Sequence, residues 1–327
     1  MNWRSKSVLV TGAGGFIGSH LAEALVQAGA KTRALVHYNG QGRKGWLDRS
    51  DYRDEMEIIA GDVREVDSVR AALKGIDIVF HLAALIAIPY SYISPSSYVT
   101  TNIGGTLNIL QESLRVGVER IVHTSTSEVY GTARQIPISE EHPLQAQSPY
   151  SATKIGADKL AESFHRSFEL PVSIVRPFNT YGPRQSARAI IPTIIGQALS
   201  NDPIRVGNVS PTRDFNYVAD TVRGFLRNAE SQKTVGQVVN LGTGKEISIG
   251  ELAKTICSMV GSECRIVQEN DRVRPPGSEV ERLCAMSTKA EELAGWRSEV
   301  TLQDGLAKTI AWMRSNLEYY PSKIYAV

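Results

Sequence analysis

The first two thirds of the chain alternate short apolar stretches with segments of helical periodicity. Strands are predicted at Ser7–Thr11, Thr32–His37, Met56–Ala60, Asp77–Leu82, Arg120–Thr124 and Pro171–Arg176. Helices are predicted at Phe16–Ala28, Val66–Leu73, Thr101–Val116 and Pro149–Phe168. Because strands that alternate with helices form parallel sheets covered on both faces, the sequence predicts an α/β fold with a doubly wound parallel sheet. Such sheets bind ligands at the carboxyl ends of their strands.

The alternation stops after Pro177, where residues 178–215 are rich in Pro, Arg, Asn and Gly. A helix and a strand resume at Tyr217–Ala229 and Val238–Leu241, and a last helix is predicted at Leu302–Asn316. We therefore predict two domains, each built from two separated segments. The first, which carries the sheet, comprises residues 1–177 plus 216–245, and the second, a smaller α/β lobe, comprises residues 178–215 plus 246–327.

The composition excludes several classes of protein. With 327 residues, 42% of them hydrophobic, the chain is neither disordered nor fibrous as a whole. Its 36 basic and 34 acidic residues give no reason to expect a nucleic-acid or membrane-surface partner. No apolar stretch approaches the roughly 18 residues of a membrane span.

The cysteines and the start of the chain bear on the cellular compartment. Cys257, Cys264 and Cys284 have no C-x-x-C spacing, so we expect a reducing compartment and no metal site. The apolar run Val8-Leu9-Val10 is too short for a signal peptide. The expected location is the cytoplasm.

A glycine-rich turn joins the first predicted strand to the first helix. Gly12, Gly15 and Gly18 have the spacing G-x-x-G-x-x-G, with Phe16 and Ile17 at the start of the helix. Glycines allow a tight turn and let backbone N–H groups approach a pyrophosphate at a helix N-terminus. The turn therefore indicates a dinucleotide, although a glycine-rich turn can also serve a strand and a helix without any ligand.

The residues that would distinguish NAD from NADP leave both open. An acidic residue that would hold the ribose 2′-hydroxyl of NAD is missing after the second strand, at Tyr38-Asn39. Arg43 and Lys44 follow and could meet a 2′-phosphate, or could be solvated loop charges. Asp62 could accept a hydrogen bond from the adenine amino group, or could be an ordinary turn or N-cap aspartate.

Tyr150 and Lys154 lie one helical turn apart and share a helix face. A nearby ammonium favours the phenolate and lowers the pKa of a tyrosine, so Tyr150 is a candidate acid/base for a substrate hydroxyl. Upstream, another strand ends in Ser125-Thr126-Ser127-Glu128, whose side chains would face the same crevice. By itself the Y-x-x-x-K spacing is common on helix surfaces, and the upstream segment could be a polar loop.

Taken together, these segments resemble the extended short-chain dehydrogenase/reductase family, which includes nucleotide-sugar epimerases, dehydratases and decarboxylases. Further similar blocks are His81-Leu82-Ala83-Ala84, Asn102 with Gly105-Thr106, Arg176-Pro177-Phe178-Asn179, Tyr181-Gly182-Pro183-Arg184, and Arg213-Asp214-Phe215 with Val218 and Asp220. The resemblance covers nearly the whole chain. It implies a Rossmann-like fold and a tightly bound, recycled NAD or NADP.

The resemblance also implies roles for individual residues. Tyr150 would take the proton of the sugar 4-hydroxyl while the nicotinamide takes the C4 hydride, Lys154 would bind the nicotinamide ribose, and Thr126 would hydrogen-bond the same hydroxyl. The implied cofactor-binding residues are Gly12, Gly15, Phe16, Ile17, Gly18, Asp62, Val63, Leu82, Ala83, Ala84, Tyr150, Lys154 and Pro177. The implied substrate-binding residues are Asn179, Arg213 and Arg274 at the pyrophosphate, together with Ile88 and Arg188. Arg274 could also belong to a basic loop.

Within the family, Glu128 favours a 4,6-dehydratase. Once C4 is oxidised, a base can remove the C5 proton, the C6 hydroxyl leaves as water, and the hydride returns to C6. Thr126-Ser127-Glu128 is similar to the Thr-Ser-Glu of GDP-mannose 4,6-dehydratases. The dTDP-glucose enzymes have Thr-Asp-Glu. Because serine is a poor acid, Glu128 or a water would have to protonate the leaving group.

Three alternatives stay open. A 4-epimerase needs no carboxylate at position 128. UDP-glucuronate decarboxylases also carry Thr-Ser-Glu, and Arg184 or Arg188 could meet a C6 carboxylate, or could make only phosphate or surface contacts. A catalytically silent NAD(P)-binding regulator is the non-enzyme alternative.

Three further segments narrow the resemblance. They are Leu85–Ser91, Asn179–Arg188 and Ser210–Tyr217, and they are most similar to dehydratases of legionaminic-acid-type pathways, which act on a nucleotide-activated N-acetylglucosamine. Ile86, Ile88 and Pro89 could line the sugar pocket or belong to the core. Apolar positions beyond one stripe on the helices 101–116 and 149–168 fit a homodimer, or helices buried within one chain.

Overall fold

The computed structural model describes residues 1–273 and 275–320. Its strands are β1 (Ser7–Thr11), β2 (Lys31–His37), β3 (Glu57–Gly61), β4 (Ile78–His81), β5 (Arg120–Thr124), β6 (Val172–Pro177), β7 (Asn179–Tyr181), β8 (Ile204–Val206), β9 (Thr212–Arg213), β10 (Phe215–Tyr217), β11 (Val238–Leu241), β12 (Ile247–Ser248), β13 (Ile266–Gln268) and β14 (Arg282–Leu283). Its α-helices are α1 (Phe16–Gln27), α2 (Val66–Ala72), α3 (Ile88–Ile93), α4 (Pro95–Tyr98), α5 (Gly105–Val116), α6 (Pro149–Phe168), α7 (Ile190–Leu199), α8 (Val218–Glu230), α9 (Ile249–Val260), α10 (Thr288–Ala294) and α11 (Leu302–Arg314).

Within the described residues, seven strands form one parallel sheet in the order β11-β6-β5-β4-β1-β2-β3. The chain runs outward from β1 to β3 and then crosses back to β4, which pairs with the other side of β1. The doubly wound sheet predicted from the alternation is confirmed. Because the strand order reverses between β1 and β4, a crevice forms at their carboxyl ends, where Thr11 lies beside His81.

The alternation of side chains along the strands gives the sheet two apolar faces. On one face, Val8, Val10, Phe80 and Val122 pack with Leu21 of α1 and Phe225 of α8. On the other, Leu9, Val79 and Ile121 pack with residues of α2, α5 and α6, among them Val69, Ile109 and Ala161. A parallel sheet covered in this way has no solvated face, which explains the continuous apolar runs in its strands.

The helix predicted over residues 101–116 differs from the structure at its start. Residues Val99–Gly104 form a π-helical turn, and the α-helix begins only at Gly105. The buried side chain of Asn102 explains the difference. It accepts a hydrogen bond from the Leu85 amide (2.8 Å) and donates to the Thr153 hydroxyl (3.0 Å), so the turn is shaped by contacts distant in sequence.

The remaining strands form small sheets beside the large one. β7 pairs with β10, β8 with β13, and β9 lies between β12 and β14. The buried carboxylate of Asp214 joins these segments, since it accepts hydrogen bonds from the backbone amides of Thr243 (2.8 Å), Gly244 (2.9 Å) and Ala285 (3.0 Å). Burial raises the pKa of Asp214.

Among residues 1–273 and 275–320, no helix is both long enough and apolar enough to cross a bilayer.

Asp220 provides a test of how the last third of the chain is attached. Its buried carboxylate accepts hydrogen bonds from the amides of Glu299 (2.9 Å) and Val300 (2.8 Å) and pairs with Arg223 (2.8 Å). Asp220→Ala leaves these donors without their acceptor, so we expect a loss of about 2–4 kcal/mol in the free energy of unfolding, measured by denaturant titration. The control Asp67→Ala removes a carboxylate that is 95% exposed and should change stability by less than about 0.5 kcal/mol. Equal stability of the two variants would contradict the attachment.

Candidate active site

The glycine turn brings the start of α1 into backbone contact with β1 and β4. Gly12 has a φ of +69°, and a Cβ there would lie 2.9 Å from the Ala83 amide nitrogen. A Cβ at Gly18 would lie 2.2 Å from the Gly12 carbonyl oxygen. Both positions therefore require glycine. Gly15 is the N-cap of α1, and Phe16 and Ile17 belong to the first turn of this helix. Backbone N–H groups of a first turn have no acceptor within the helix, and here they lie at the carboxyl edge of the sheet.

The segment after β4 is held against this turn. The Thr11 hydroxyl accepts hydrogen bonds from the amides of Leu82 and Ala83, each at 3.1 Å. Ala84 follows directly, and Pro177 ends β6 farther along the same edge. The structure thus brings the predicted cofactor residues of β1, β4 and β6 to one edge of the sheet.

Asp62 and Val63 follow β3 at the far end of this edge. Arg64 donates to the Asp62 carboxylate from its backbone amide (2.9 Å) and its guanidinium, and these hydrogen bonds lower the pKa of Asp62. Val63 packs against α5, where a Cβ at Gly105 would lie 2.7 Å from Val63 Cγ2. Asp62 is therefore an ionised carboxylate held by its own turn.

The catalytic candidates meet where β5 and α6 come together. A capping box of Ser148 and Ser151, with Pro149 at the first helical position, starts α6 just before Tyr150. The Tyr150 phenol is buried and hydrogen-bonded to the Thr126 side chain. The structure therefore places the predicted tyrosine and threonine in direct contact.

Lys154, one turn along α6, is also buried. Its Nζ donates to the Thr124 carbonyl oxygen at 2.6 Å. Burial lowers the pKa of Lys154 to about 8, while the charge of Asp158 acts in the opposite direction. A group with this pKa remains mostly protonated at neutral pH.

The direction of the Tyr150 pKa differs from the prediction based on the Tyr–Lys spacing. In the protein by itself the pKa is raised, chiefly by burial and also by the charge of Glu128. The phenol is enclosed by Ile88 and by the ring of Tyr98, whose centroid lies 6.3 Å away. Desolvation disfavours the phenolate, and it outweighs the hydrogen bond with Thr126, which acts to lower the pKa of Tyr150.

Ser127 and Glu128 lie in the short turn that follows β5. Thr126 caps this turn, since its hydroxyl accepts a hydrogen bond from the Glu128 amide at 3.2 Å. Ser127 is buried, and Glu128 is partly exposed. Because its charge acts on Tyr150, Glu128 belongs to the same site.

Sequence reasoning missed a buried carboxylate beneath Lys154. Asp158, one further turn along α6, accepts hydrogen bonds from Ser125 Oγ (2.7 Å) and Arg176 Nη2 (3.0 Å). Its other oxygen lies 3.3 Å from His123 Nε2. The pKa of Asp158 falls to about 2, because its hydrogen bonds and the neighbouring positive charge outweigh burial. The i, i+4 spacing to Lys154 was the available signal.

The predicted substrate residues are only partly brought together. Asn179 opens β7 next to Pro177, and Ile88 packs with Tyr98 and Tyr150. Arg188 is exposed, yet its charge acts on Tyr98, so it lies on this side of the site. Arg213 is buried on β9, where Nη1 donates to the Thr212 carbonyl and Nη2 to Glu279.

Two further arginines have different outcomes. Arg184 donates to Glu23 (2.9 Å) and Ser19 (3.2 Å), so it fastens its segment to α1. Arg274 lies outside the described residues.

Comparisons with known proteins agree on the family. The family model described as GDP-mannose 4,6 dehydratase matches residues 9–309. A UDP-glucose 4-epimerase from Mycolicibacterium smegmatis is 34% identical, over 94% of this chain and 98% of the relative. A UDP-N-acetyl-alpha-D-glucosaminuronate decarboxylase from Bacillus cytotoxicus is 33% identical, over 94% and 98%. The structure of a dTDP-glucose 4,6-dehydratase from Streptomyces venezuelae, with NAD and TYD bound, superposes with a TM-score of 0.86 at 30% identity, over 96% and 98%.

The lowered pKa of Lys154 predicts a specific dependence of stability on pH. Below pH 8 the lysine is protonated in both states, whereas between pH 8 and 10.5 the unfolded state binds more protons, so stability rises with pH. Relative to Lys154→Met, the wild type should gain about 2 kcal/mol between pH 7 and 9.5. Urea unfolding of both proteins across this range measures the difference. Parallel pH profiles would refute the lowered pKa.

Proposed function

Because this chain belongs to the nucleotide-sugar epimerase/dehydratase family of extended short-chain dehydrogenases/reductases, we propose that it is a nucleotide-sugar 4,6-dehydratase. The observation that carries the proposal is the position of Glu128, whose charge reaches the Tyr150 phenol from the turn capped by Thr126. A carboxylate beside the acid/base tyrosine is what removal of the C5 proton requires. A 4-epimerase has no step for it.

The crevice at the glycine turn fits NAD or NADP. A Cβ at Gly12 or Gly18 would clash with the backbone of Ala83 or of Gly12, so glycine keeps the turn tight, and the open first turn of α1 suits a pyrophosphate. We assign the cofactor to the residues predicted from the sequence, from Gly12 around the sheet edge to Asp62, Ala83 and Pro177. When bound, a nicotinamide cofactor supplies reversible two-electron oxidation at C4 of the sugar. Both cofactors remain part of the proposal.

Tyr150 is the proposed base for the sugar 4-hydroxyl. Thr126, hydrogen-bonded to the phenol, orients the same hydroxyl. The burial that raises the pKa of Tyr150 means that its ionised form needs compensating positive charge. Lys154 supplies that charge, since a pKa of about 8 keeps it mostly protonated at neutral pH, and its tie to Thr124 fixes its position.

Glu128 is the proposed base at C5. A carbonyl at C4 makes the neighbouring C5 proton acidic, so a carboxylate can remove it. Since Ser127 is a poor acid and is buried, we assign to Glu128 the transfer of this proton to the C6 hydroxyl, which leaves as water. The hydride removed from C4 then returns to C6 and a proton returns to C5, which gives a 4-keto-6-deoxy sugar.

The proposed substrate is a nucleotide-activated N-acetylglucosamine. Ile88 and Tyr98 form an apolar wall beside Tyr150, and Ile86 is 60% exposed on the preceding loop. This surface suits the methyl group of an acetamido substituent. Asn179 and Arg213 are the proposed pyrophosphate contacts, Ile88 and Arg188 are further proposed substrate contacts, and the role predicted for Arg274 remains a prediction. The legionaminic-acid-type assignment rests on the sequence blocks alone.

The alternatives are weaker on specific grounds. Of the two arginines predicted for the C6 carboxylate that a decarboxylase must bind, Arg184 is committed to Glu23 and Ser19, which leaves Arg188 for that role. A silent regulator would not need Tyr150 against Thr126 and Lys154 held by the Thr124 carbonyl beside one crevice. An epimerase remains the second candidate, because a relative with that name covers nearly the whole chain.

We also propose a cytoplasmic homodimer that forms through α5 and α6. Leu114 and Val116 on α5 and Phe168 on α6 are exposed apolar side chains on these two adjacent helices. The two-lobe division, at residues 1–177 plus 216–245 and 178–215 plus 246–327, likewise remains a prediction.

Tyr150→Phe tests the acid/base assignment. The variant removes only the hydroxyl, so turnover should fall by about 10²–10⁴-fold while NAD(P) binding, measured by calorimetry, is retained. The matched control is Tyr52→Phe, since Tyr52 is partly buried and is not one of the residues assigned to the site, so this variant should keep full activity. Full activity of Tyr150→Phe would overturn the assignment.

Mass spectrometry of reactions in D2O tests the reaction itself. The wild-type protein is incubated with UDP-, GDP- and dTDP-linked hexoses and N-acetylhexosamines and with NAD+ or NADP+. The sugar of the true substrate should lose one water and gain deuterium at C5. Glu128→Gln should slow this reaction by about 10²–10⁴-fold, and the exposed control Glu141→Gln should not.

Two other products would replace the proposed reaction. An unchanged mass with a new stereoisomer would establish the epimerase. Loss of carbon dioxide from UDP-glucuronate would establish the decarboxylase.

A further inference from the structure

We propose that an aromatic clamp joins the loop that lies on the glycine turn to the C-terminal part of the chain. By fixing this loop, the clamp sets the affinity for the cofactor. The clamp consists of Trp46, Trp312 and Tyr319. This inference rests on the proposed cofactor site. It assigns to Tyr319 a positioning role, since that side chain contacts the loop and not the glycine turn.

The loop after β2 lies directly against the glycine turn. The Trp46 amide donates to the Gly14 carbonyl oxygen at 3.0 Å. A Cβ at Gly45 would lie 2.2 Å from that oxygen, and a Cβ at Gly14 would lie 2.7 Å from the Lys44 carbonyl oxygen. Residues 44–46 therefore touch the turn through backbone atoms, and any movement of the loop changes the wall of the crevice.

The Trp46 side chain points away from the glycine turn and contacts two aromatic residues of the C-terminal part of the chain. Its ring meets those of Trp312 and Tyr319 edge to face, with centroid distances of 5.5 Å and 5.3 Å. The Arg49 guanidinium lies 4.5 Å from the Tyr319 ring centroid and 3.6 Å from Glu318. The loop is thus held by one short C-terminal segment.

That segment has a rigid base. Trp312 belongs to α11 and packs on Tyr320, with ring centroids 5.9 Å apart. Tyr320 is buried, and its hydroxyl donates to the Gln185 carbonyl oxygen at 2.8 Å. The clamp therefore joins the loop to elements outside the large sheet.

A clamp of this kind acts through preorganisation. If the loop is released, cofactor binding must order it again, and that cost appears as weaker affinity. Each edge-to-face ring pair and each exposed cation–π contact is individually modest. Loss of Tyr319, which removes one of each, should therefore raise the Kd for NAD(P)+ by about three- to tenfold.

Tyr319→Ala is the test, with Leu317→Ala as the matched control. Both residues lie in the same short helical turn and are similarly exposed, at 37% and 38%, so neither truncation should prevent folding. Calorimetry gives the Kd for NAD+ and NADP+ and, as an internal reference, for UDP, GDP and dTDP. We expect weaker cofactor binding for Tyr319→Ala alone, with nucleotide binding and the rate at saturating cofactor unchanged.

A double-mutant cycle with Trp46→Phe and Trp46→Ala tests the route. In the Trp46→Ala background, Tyr319→Ala should weaken cofactor binding less than it does in the wild type, because only the Arg49 contact is left to lose, whereas Trp46→Phe should retain most of the affinity. An unchanged cofactor Kd in Tyr319→Ala, or an equal loss in Leu317→Ala, would overturn the clamp while the proposed function stands. A wild-type protein that binds neither cofactor would overturn both.

Discussion

The carboxylate of Asp158 is the group on which the arrangement of the catalytic candidates depends. Fully buried on α6, it holds Ser125 of the segment after β5 and Arg176 of β6, and it faces His123 on β5. The two residues that α6 presents to the crevice, Tyr150 and Lys154, contact Thr126 and Thr124 of that same strand end. A buried ion pair costs desolvation energy, and here the hydrogen bonds of Asp158 with Ser125 and Arg176 fix one register between helix and strand.

The features predicted from the sequence are those set by local pattern. The glycine spacing at residues 12–18, the short apolar runs of the strands and the i, i+4 pair of Tyr150 and Lys154 all arise from residues near one another in the chain. Helix α6 has the predicted bounds because Ser148 and Pro149 form a recognisable start. Local sequence pattern was therefore enough to predict the sheet, the glycine turn and helix α6.

The features that were missed depend on contacts between distant residues. The partners of Asp158 lie on β5, on the segment after β5 and on β6. Trp46 contacts Trp312, which is far from it in the sequence. The raised pKa of Tyr150 has the same origin, since its burial is produced by residues that no spacing rule relates to it. The sequence pattern indicates which residues can take part in the chemistry, whereas tertiary packing determines their pKa values.

The π-helical turn at residues 99–104 has a consequence for how this site can change. In an α-helix each residue is rotated by about 100° from the one before it. The wider π-helical turn therefore changes the direction of the Asn102 side chain relative to the buried side chains of Ile109 and Leu110. The stretch before Gly105 can face the loop after β4 while the stretch after it faces the core. Substitutions in the loop after β4 therefore act on a different stretch of this helix from the one that packs in the core.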